Sequence, residues 1–435
     1  MKPYAWIPSL YFAEALPYMA VMTLSVIMYT NLGLTNTELA LYTSWLYLPW
    51  VIKPIWSPLI DQWRTKRWWI LLMQILVGAS LAGVALTLST SMWLRASLAF
   101  FWLMAFSSAT HDIAADGFYI LSLSKEDQAL YVGIRSTFYR IGMIFCQGIL
   151  VMIAGWLESR HTIPLAWSIT MLLMAGIMVG LACWHNVSLP QPHPLSPPEG
   201  GAYIGLQNNN EGTQEENVIT PSPRGGFGVG VAFAATLRAF FSKPHVWAAL
   251  LFMLLFRLPE AQLAKMAQPF MLRSIGEGGL ELGTTTVGFA YGTLGVIGLL
   301  VGGIVGGWVV SRNGLRFWLW PMVEAISLPD LVYVYLSYCQ PTNLWIVNTC
   351  VFIEQLGYGF GFTAYMLFLV YFSRGERATS VFALCTAFQA LGMMLPGMVA
   401  GWLADKLGFQ MFFIFVSLCT LVTFVVSGLI RRDVK

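Results

Sequence analysis

The residues with the most chemistry in this chain are Asp112, Asp116 and His111, which lie within one apolar run from about 92 to 121. A charged side chain near a bilayer centre costs roughly 2.5–3.5 kcal/mol on insertion scales, so neighbouring carboxylates at that depth imply a use. Helical spacing places Asp112 and Asp116 at i and i+4 on one face, and turns His111 about 100° away. Such a carboxylate can hold a counter-cation or, deprived of one, take up a proton. At 1.5 Å per residue, Asp112 lies about 13 Å and Asp116 about 7 Å from the end of the run near Leu121. The next run, 130–156, places Arg135 about 7 Å and Arg140 about 15 Å from the same side. A short loop makes these runs antiparallel neighbours, so the depths pair Asp116 with Arg135 and Asp112 with Arg140. The pairs read either as permanent ion pairs or a gate, or as a proton- or substrate-coupling face.

Other embedded charges extend the set. Glu14, Arg257, Glu260 and Lys265 fall near mid-membrane by residue count, where ionisable residues line a bundle interior or a wet cavity. Arg257 and Glu260 are i, i+3 neighbours that can satisfy each other. Lys265 is the candidate for a substrate anion, with Tyr18, Gln262 and Gln268 able to hydrogen-bond a polyhydroxylated cargo. Glu324, Asp330 and Glu354 follow, the first two flanking Pro329 and expected to face solvent. The Asp112/Asp116 spacing also suits a metal, but no second ligand-bearing helix accompanies it. An intramembrane metal enzyme is therefore a remote alternative, and the expectation is no enzyme, no metal and no cofactor.

The elements that must hold these residues are membrane spans. Charged residues are 10% of the 435 and apolar residues 57%, against about 25% charged in soluble domains, and mean hydropathy is +0.66. Twelve spans are expected at 5–29, 37–59, 69–90, 94–121, 130–156, 164–185, 245–272, 284–310, 317–338, 344–372, 379–403 and 410–430. This is an all-α polytopic membrane protein of two six-helix halves, 1–185 and 244–435. Residues 186–243 join them as a Pro-, Asn- and Gly-rich linker expected to be flexible, ending in an apolar stretch, 229–242, that suits an interfacial helix. With both termini in the cytoplasm, fifteen Lys and Arg residues lie on the inner side against four (Arg95, Arg160, Arg273, Lys406) on the outer. The net charge of +3 is spread among loops and gives no case for nucleic acid. The six cysteines are scattered through apolar runs without metal spacing. The Gly-rich eighth run has small residues at four-residue spacing, which suits close helix packing.

The halves repeat. Phe138, Gly142 and Met143 match Phe388, Gly392 and Met393 at an offset of 250. Gly155-Trp156-Leu157 matches Gly401-Trp402-Leu403, and Glu14-Ala15 matches Glu260-Ala261. Parallel repeats of this kind put a binding site between the halves.

Gly307-Trp308-Val309-Val310-Ser311-Arg312-Asn313-Gly314-Leu315-Arg316 resembles the loop motif of the major facilitator superfamily, and Asp61, Arg64 and Arg67 stand at its first-half counterpart. Trp56-Ser57-Pro58-Leu59-Ile60-Asp61, Ser108 to Phe118, Arg140-Ile141-Gly142-Met143 and Phe256 to Ala261 are similar to the muropeptide-permease (AmpG) and acetyl-CoA-transporter branch. His111 stands where that branch usually has Gln. The resemblance implies a twelve-helix major facilitator fold and a cytoplasmic gate at Asp61, Arg64, Arg67, Arg312 and Arg316. It further implies a monomeric, proton-coupled importer of anhydro-muropeptides or related sugar-peptides in a bacterial inner membrane. Its partners would be that small molecule, protons and the bilayer; acyl-CoA or a siderophore is the alternative cargo.

Overall fold

The computed structural model describes residues 2–191, 227–375 and 377–431. Among the described residues there is no strand; the chain forms twelve long helical segments, and eight helical stretches are long and apolar enough to cross a membrane. The first half is α1 (Pro3–Asn31), α2 (36–62), α3 (Lys66–Thr87), α4 (Trp93–Ser122), α5 (Glu126–Glu158) and α6 (Ile163–Ser188). The second is α7 (Val246–Leu272), α8 (Thr284–Asn313), α9 (315–339), α10 (Leu344–Ser373), α11 (378–407) and α12 (409–430). Gly408, at φ 72° and ψ 159°, separates the last two crossings, in a region that glycine enters without a Cβ clash. Large apolar side chains such as Trp345, 78% exposed, cover the outer surface, as a hydrocarbon solvent requires. The expected flexible linker falls largely on 192–226, outside the described residues. Its end is the helix Phe227–Phe241, whose Phe240 is buried against Phe372 and Phe388.

Six of the twelve helices depart locally from regular α geometry, α2 among them between Trp45 and Leu48. α1, α5 and α8 each widen to a π-helical stretch, at Ala20–Leu24, Phe145–Leu150 and Gly288–Gly295. α7 breaks at Arg257, and Pro259, with no N–H to leave unpaired, starts its second part. α9 is interrupted by the one-turn segment Leu328–Asp330. Local departures of this kind free backbone groups and re-aim side chains, and they recur at functional sites.

The sequence repeat becomes a pseudo-two-fold set of close contacts. Within the halves, a Cβ on Gly142 would lie 2.9 Å from the Phe12 carbonyl oxygen of α1, and one on Gly392 would lie 2.7 Å from the Leu254 carbonyl oxygen of α7. Between the halves, a Cβ on Gly155 would lie 2.4 Å from the Thr285 nitrogen, and one on Gly401 would lie 1.8 Å from the Asn36 carbonyl oxygen. Both crossings lie at the end away from the chain termini. There Glu158 accepts from Asn31 Nδ2 at 2.7 Å and from the Thr284 hydroxyl. Asp405 accepts from the Thr37 backbone N–H at 2.8 Å and the Thr37 hydroxyl at 2.6 Å, which caps the N-terminus of α2 from the other half. The Arg273 guanidinium reaches the Leu34 carbonyl beside them. This end is closed, and the halves part towards the end that carries the termini.

Gly401→Ala should force α11 and α2 apart, an overpacking cost of about 1–3 kcal/mol. The expected outcome is a lower unfolding temperature in purified protein and faster thiol labelling of a Thr37→Cys reporter. Unchanged labelling would show that the closed end tolerates the methyl group.

Candidate functional site

The face that carries Asp112 and Asp116 meets α1, α2 and α5. Arg135 Nη2 sits 2.9 Å from Asp116 Oδ1, forming the pair that the matching depths predict. Tyr11 Oη donates to the same oxygen at 3.2 Å. The Arg135 guanidinium lies over the rings of Tyr11 and Tyr119, 4.6 and 5.3 Å from their centroids. Asp112 does not pair with Arg140. Its partner is Lys53 of α2, a residue that depth along neighbouring helices does not single out. The physical reason is azimuth: Arg140 is five residues past Arg135, about 140° further round the helix. That turn carries it away from α4 and into the space between the halves, where it lines the wider chamber.

Glu14 of α1 faces both aspartates. It is 9% exposed, and its Oε2 is buried without a hydrogen-bond partner. The cluster therefore holds three carboxylates (Glu14, Asp112, Asp116) against two cations (Lys53, Arg135). His111 points the other way, as its rotation predicts. Its Nε2 is 3.0 Å from Gln74 Nε2, Gln74 Oε1 is 3.0 Å from His185 Nδ1, and His185 Nε2 is 2.9 Å from Ser9 Oγ. This buried ladder ties α4, α3, α6 and α1 together behind the carboxylate face.

Between the halves lie two chambers that share Tyr18, Met143, Arg257, Leu299 and Tyr358 as walls. The wider, about 680 Å³, is lined by Glu14, Arg135, Tyr139, Arg140 and Gln389 among others. The inner, about 180 Å³, reaches Tyr47, Glu260, Lys265, Gln268 and Glu354. Arg257 and Glu260 do satisfy each other, with Arg257 Nε 2.7 Å from Glu260 Oε2 and Nη2 2.6 Å from Oε1, and Arg257 also donates to Tyr358 Oη at 2.7 Å. Lys265 is different. It is 4% exposed, donates to Thr43 Oγ1 at 3.2 Å and lies 5.2 Å from the Tyr47 ring centroid. No carboxylate pairs with it among the described residues, so its amine stands in the inner chamber without an ionic partner.

The remaining sequence candidates sort by depth. Glu324 is exposed, but Asp330 is 5% exposed and does not face solvent; the turn at Pro329 directs it inwards. At the end that carries the termini, Arg64 lies over Trp68, Arg67 bonds to the Asn186 carbonyl and Oδ1, and Arg312 lies over Trp308. Each of these contacts stays within one half, and Arg316 is exposed. The Asp61 side chain is outside what is described. Glu158 and Asp405, which close the other end, follow the repeated Gly-Trp-Leu segments by one and two residues. That repeat was the signal for them.

A family model for the Major Facilitator Superfamily matches residues 9–395. The chain is 26% identical over 373 residues to a protein of Escherichia coli (strain K12) named anhydromuropeptide permease, across 84% of this chain and 67% of that one. It is 25% identical over 388 residues to a Rickettsia conorii protein named putative transporter AmpG 4, across 86% and 83% of the two chains. The fold is similar to the crystal structure of a mutant form of the nucleoside transporter NupG, at a TM-score of 0.69, 12% identity and 98% coverage of each chain.

The Lys53–Asp112 pair is testable by a double-mutant cycle. Lys53→Met alone and Asp112→Asn alone should each lower the unfolding temperature, and the double variant should recover much of that loss. The coupling expected for a contacting pair is about 0.5–3 kcal/mol. Strict additivity of the two losses would mean that the pair does not form.

Proposed function

Because the chain belongs to the Major Facilitator Superfamily, we propose that it is a proton-coupled secondary transporter that imports anhydro-muropeptides or related cell-wall sugar-peptides by alternating access. The chain is a multi-pass membrane protein of a transporter family; the cargo and the coupling ion are the proposal. The observation that carries the coupling is the charge count around Glu14. With Lys53 and Arg135 each held by an aspartate, one carboxylate is left over, and a proton is the smallest charge that balances it. Protonation would let Glu14 and the aspartates exchange their hold on Lys53 and Arg135, and so change how α1, α2, α4 and α5 sit together.

The cargo reading rests on the chamber lining and on the relatives. A muropeptide carries hydroxyls and carboxylates. Tyr18, Tyr47, Gln268 and Gln147 offer hydrogen bonds, and Lys265 offers a positive charge where the inner chamber ends. The Escherichia coli relative bears the name of a permease for such a compound. The excess of basic residues on one side supports cytoplasmic termini, and the relatives support a bacterial inner membrane; on that reading the open end is the cytoplasmic one. On that reading the halves 1–185 and 244–435 rock about the site as a monomer, with 186–243 as the connection. Arg64, Arg67, Arg312 and Arg316 would close the cytoplasmic end in the opposite state.

Proteoliposomes loaded and diluted to impose an inward proton gradient test this directly with labelled anhydro-muropeptide. Wild type should accumulate it. Glu14→Gln and Asp112→Asn should lose gradient-driven accumulation while keeping exchange between labelled and unlabelled cargo. Lys265→Met should raise the half-saturating concentration about tenfold, the effect of ~1.4 kcal/mol. If folded wild-type protein moves no muropeptide under any gradient, the cargo is wrong; accumulation that survives both carboxylate substitutions removes the coupling role.

A further inference from the structure

The C-terminal half holds a second pair of buried carboxylates, far along the chain from the cluster around Glu14. Asp330 closes the turn Leu328–Asp330 that interrupts α9, and Glu354 lies within α10; they are 5% and 4% exposed. Ser327, Asp330 and Tyr333 follow one another at intervals of three, which puts them on one face of α9. Asp330 and Tyr333 both face Glu354. The two helices are held close there, because a Cβ on Gly357 would lie 2.1 Å from the Ala325 carbonyl oxygen and 2.7 Å from Pro329 Cγ.

The polar groups at this place are poorly satisfied by one another. Gln355 Nε2 lies 3.2 and 3.0 Å from the two Glu354 oxygens and 3.1 Å from Tyr291 Oη. Asp330 Oδ2 and Ser327 Oγ are buried with no hydrogen-bond partner, and the Tyr333 hydroxyl is directed at Glu354. Among the described residues, no basic side chain faces either carboxylate. The acidic group facing both is Glu260, itself held by Arg257, and the remaining titratable neighbours are Tyr291, Tyr358 and Cys350. Buried carboxylates without a counter-charge are costly, and nearly all buried polar atoms in folded proteins find a partner. Oxygen donors of this kind, at a break in a membrane helix, suit a hard cation.

We propose that Asp330 and Glu354, with Tyr333 and Ser327, bind one small monovalent cation, a proton or a sodium ion, as a second ion site in the C-terminal half. Glu354 lines the inner chamber and Asp330 neighbours Glu354, so the site is reached from that chamber through Glu354. Occupancy neutralises the acidic side of the chamber opposite Lys265, which links ion binding to the charge of the cargo that enters. The site does not depend on which cargo is carried, and its failure leaves the transport proposal standing.

The test uses purified full-length protein without cargo. Thermal unfolding is followed while sodium chloride replaces choline chloride at constant ionic strength, and proton binding is followed by pH titration in weak buffer. For sodium, the wild type and Glu324→Gln should gain stability with sodium; Asp330→Asn and Glu354→Gln should lose that gain. Tyr333→Phe, which keeps both charges, should then need several-fold more sodium for the same effect. For a proton, sodium should have no effect, the wild type should bind one more proton than Asp330→Asn or Glu354→Gln, and Tyr333→Phe should match the wild type. Tyr333→Phe also reports on the sodium arm if either charge variant fails to fold. Identical sodium response and proton binding in wild type and the carboxylate variants would overturn the site.

Discussion

Two backbone crossings at one end of the molecule set everything else in place. Where α5 meets α8 and α11 meets α2, a glycine lets one helix approach the other more closely than any side chain would permit. A carboxylate one turn further on, Glu158 or Asp405, bonds to residues at the N-terminus of the opposing helix. Small residues give contact area where there is no hydrophobic force between helices in lipid, and the carboxylate meets the positive end of a helix dipole. Because both seams lie at the same end, the halves diverge towards the other, and that divergence is the cavity.

Charge compensation is the second theme, and it is met in three ways. Arg257 and Glu260 neutralise each other within one helical turn. Lys53 and Arg135 reach across from other helices to Asp112 and Asp116. Among the described residues, Lys265 and the Asp330–Glu354 pair have no ion-pair partner, and Glu14 shares Lys53 and Arg135 with two aspartates. In a low-dielectric interior an unbalanced group is unstable alone. The groups left unbalanced are accordingly the ones through which protons, ions or an anionic cargo can act.

The two halves use these resources unequally. The first concentrates acids and bases on the α1–α2–α4–α5 face and braces it from behind with the Gln74, His111 and His185 ladder. The second carries a satisfied pair at the break in α7, a lysine about two turns beyond that break and an uncompensated acidic pair on α9 and α10.

The sequence by itself determined the twelve crossings, the duplication and the contacts fixed by spacing along one helix or by depth along two sequential ones. Arg257 with Glu260 and Asp116 with Arg135 belong to that class, as do the glycines of the repeat. Only the tertiary structure decided that Asp112 is held by Lys53 rather than Arg140, that Asp330 turns inwards, and that Lys265 meets Thr43 of the opposite half. The reason is geometric. Helical rise converts residue number into depth, but the rotation of each helix about its axis is set by packing against neighbours distant in sequence, and that rotation chooses a charged residue's partner.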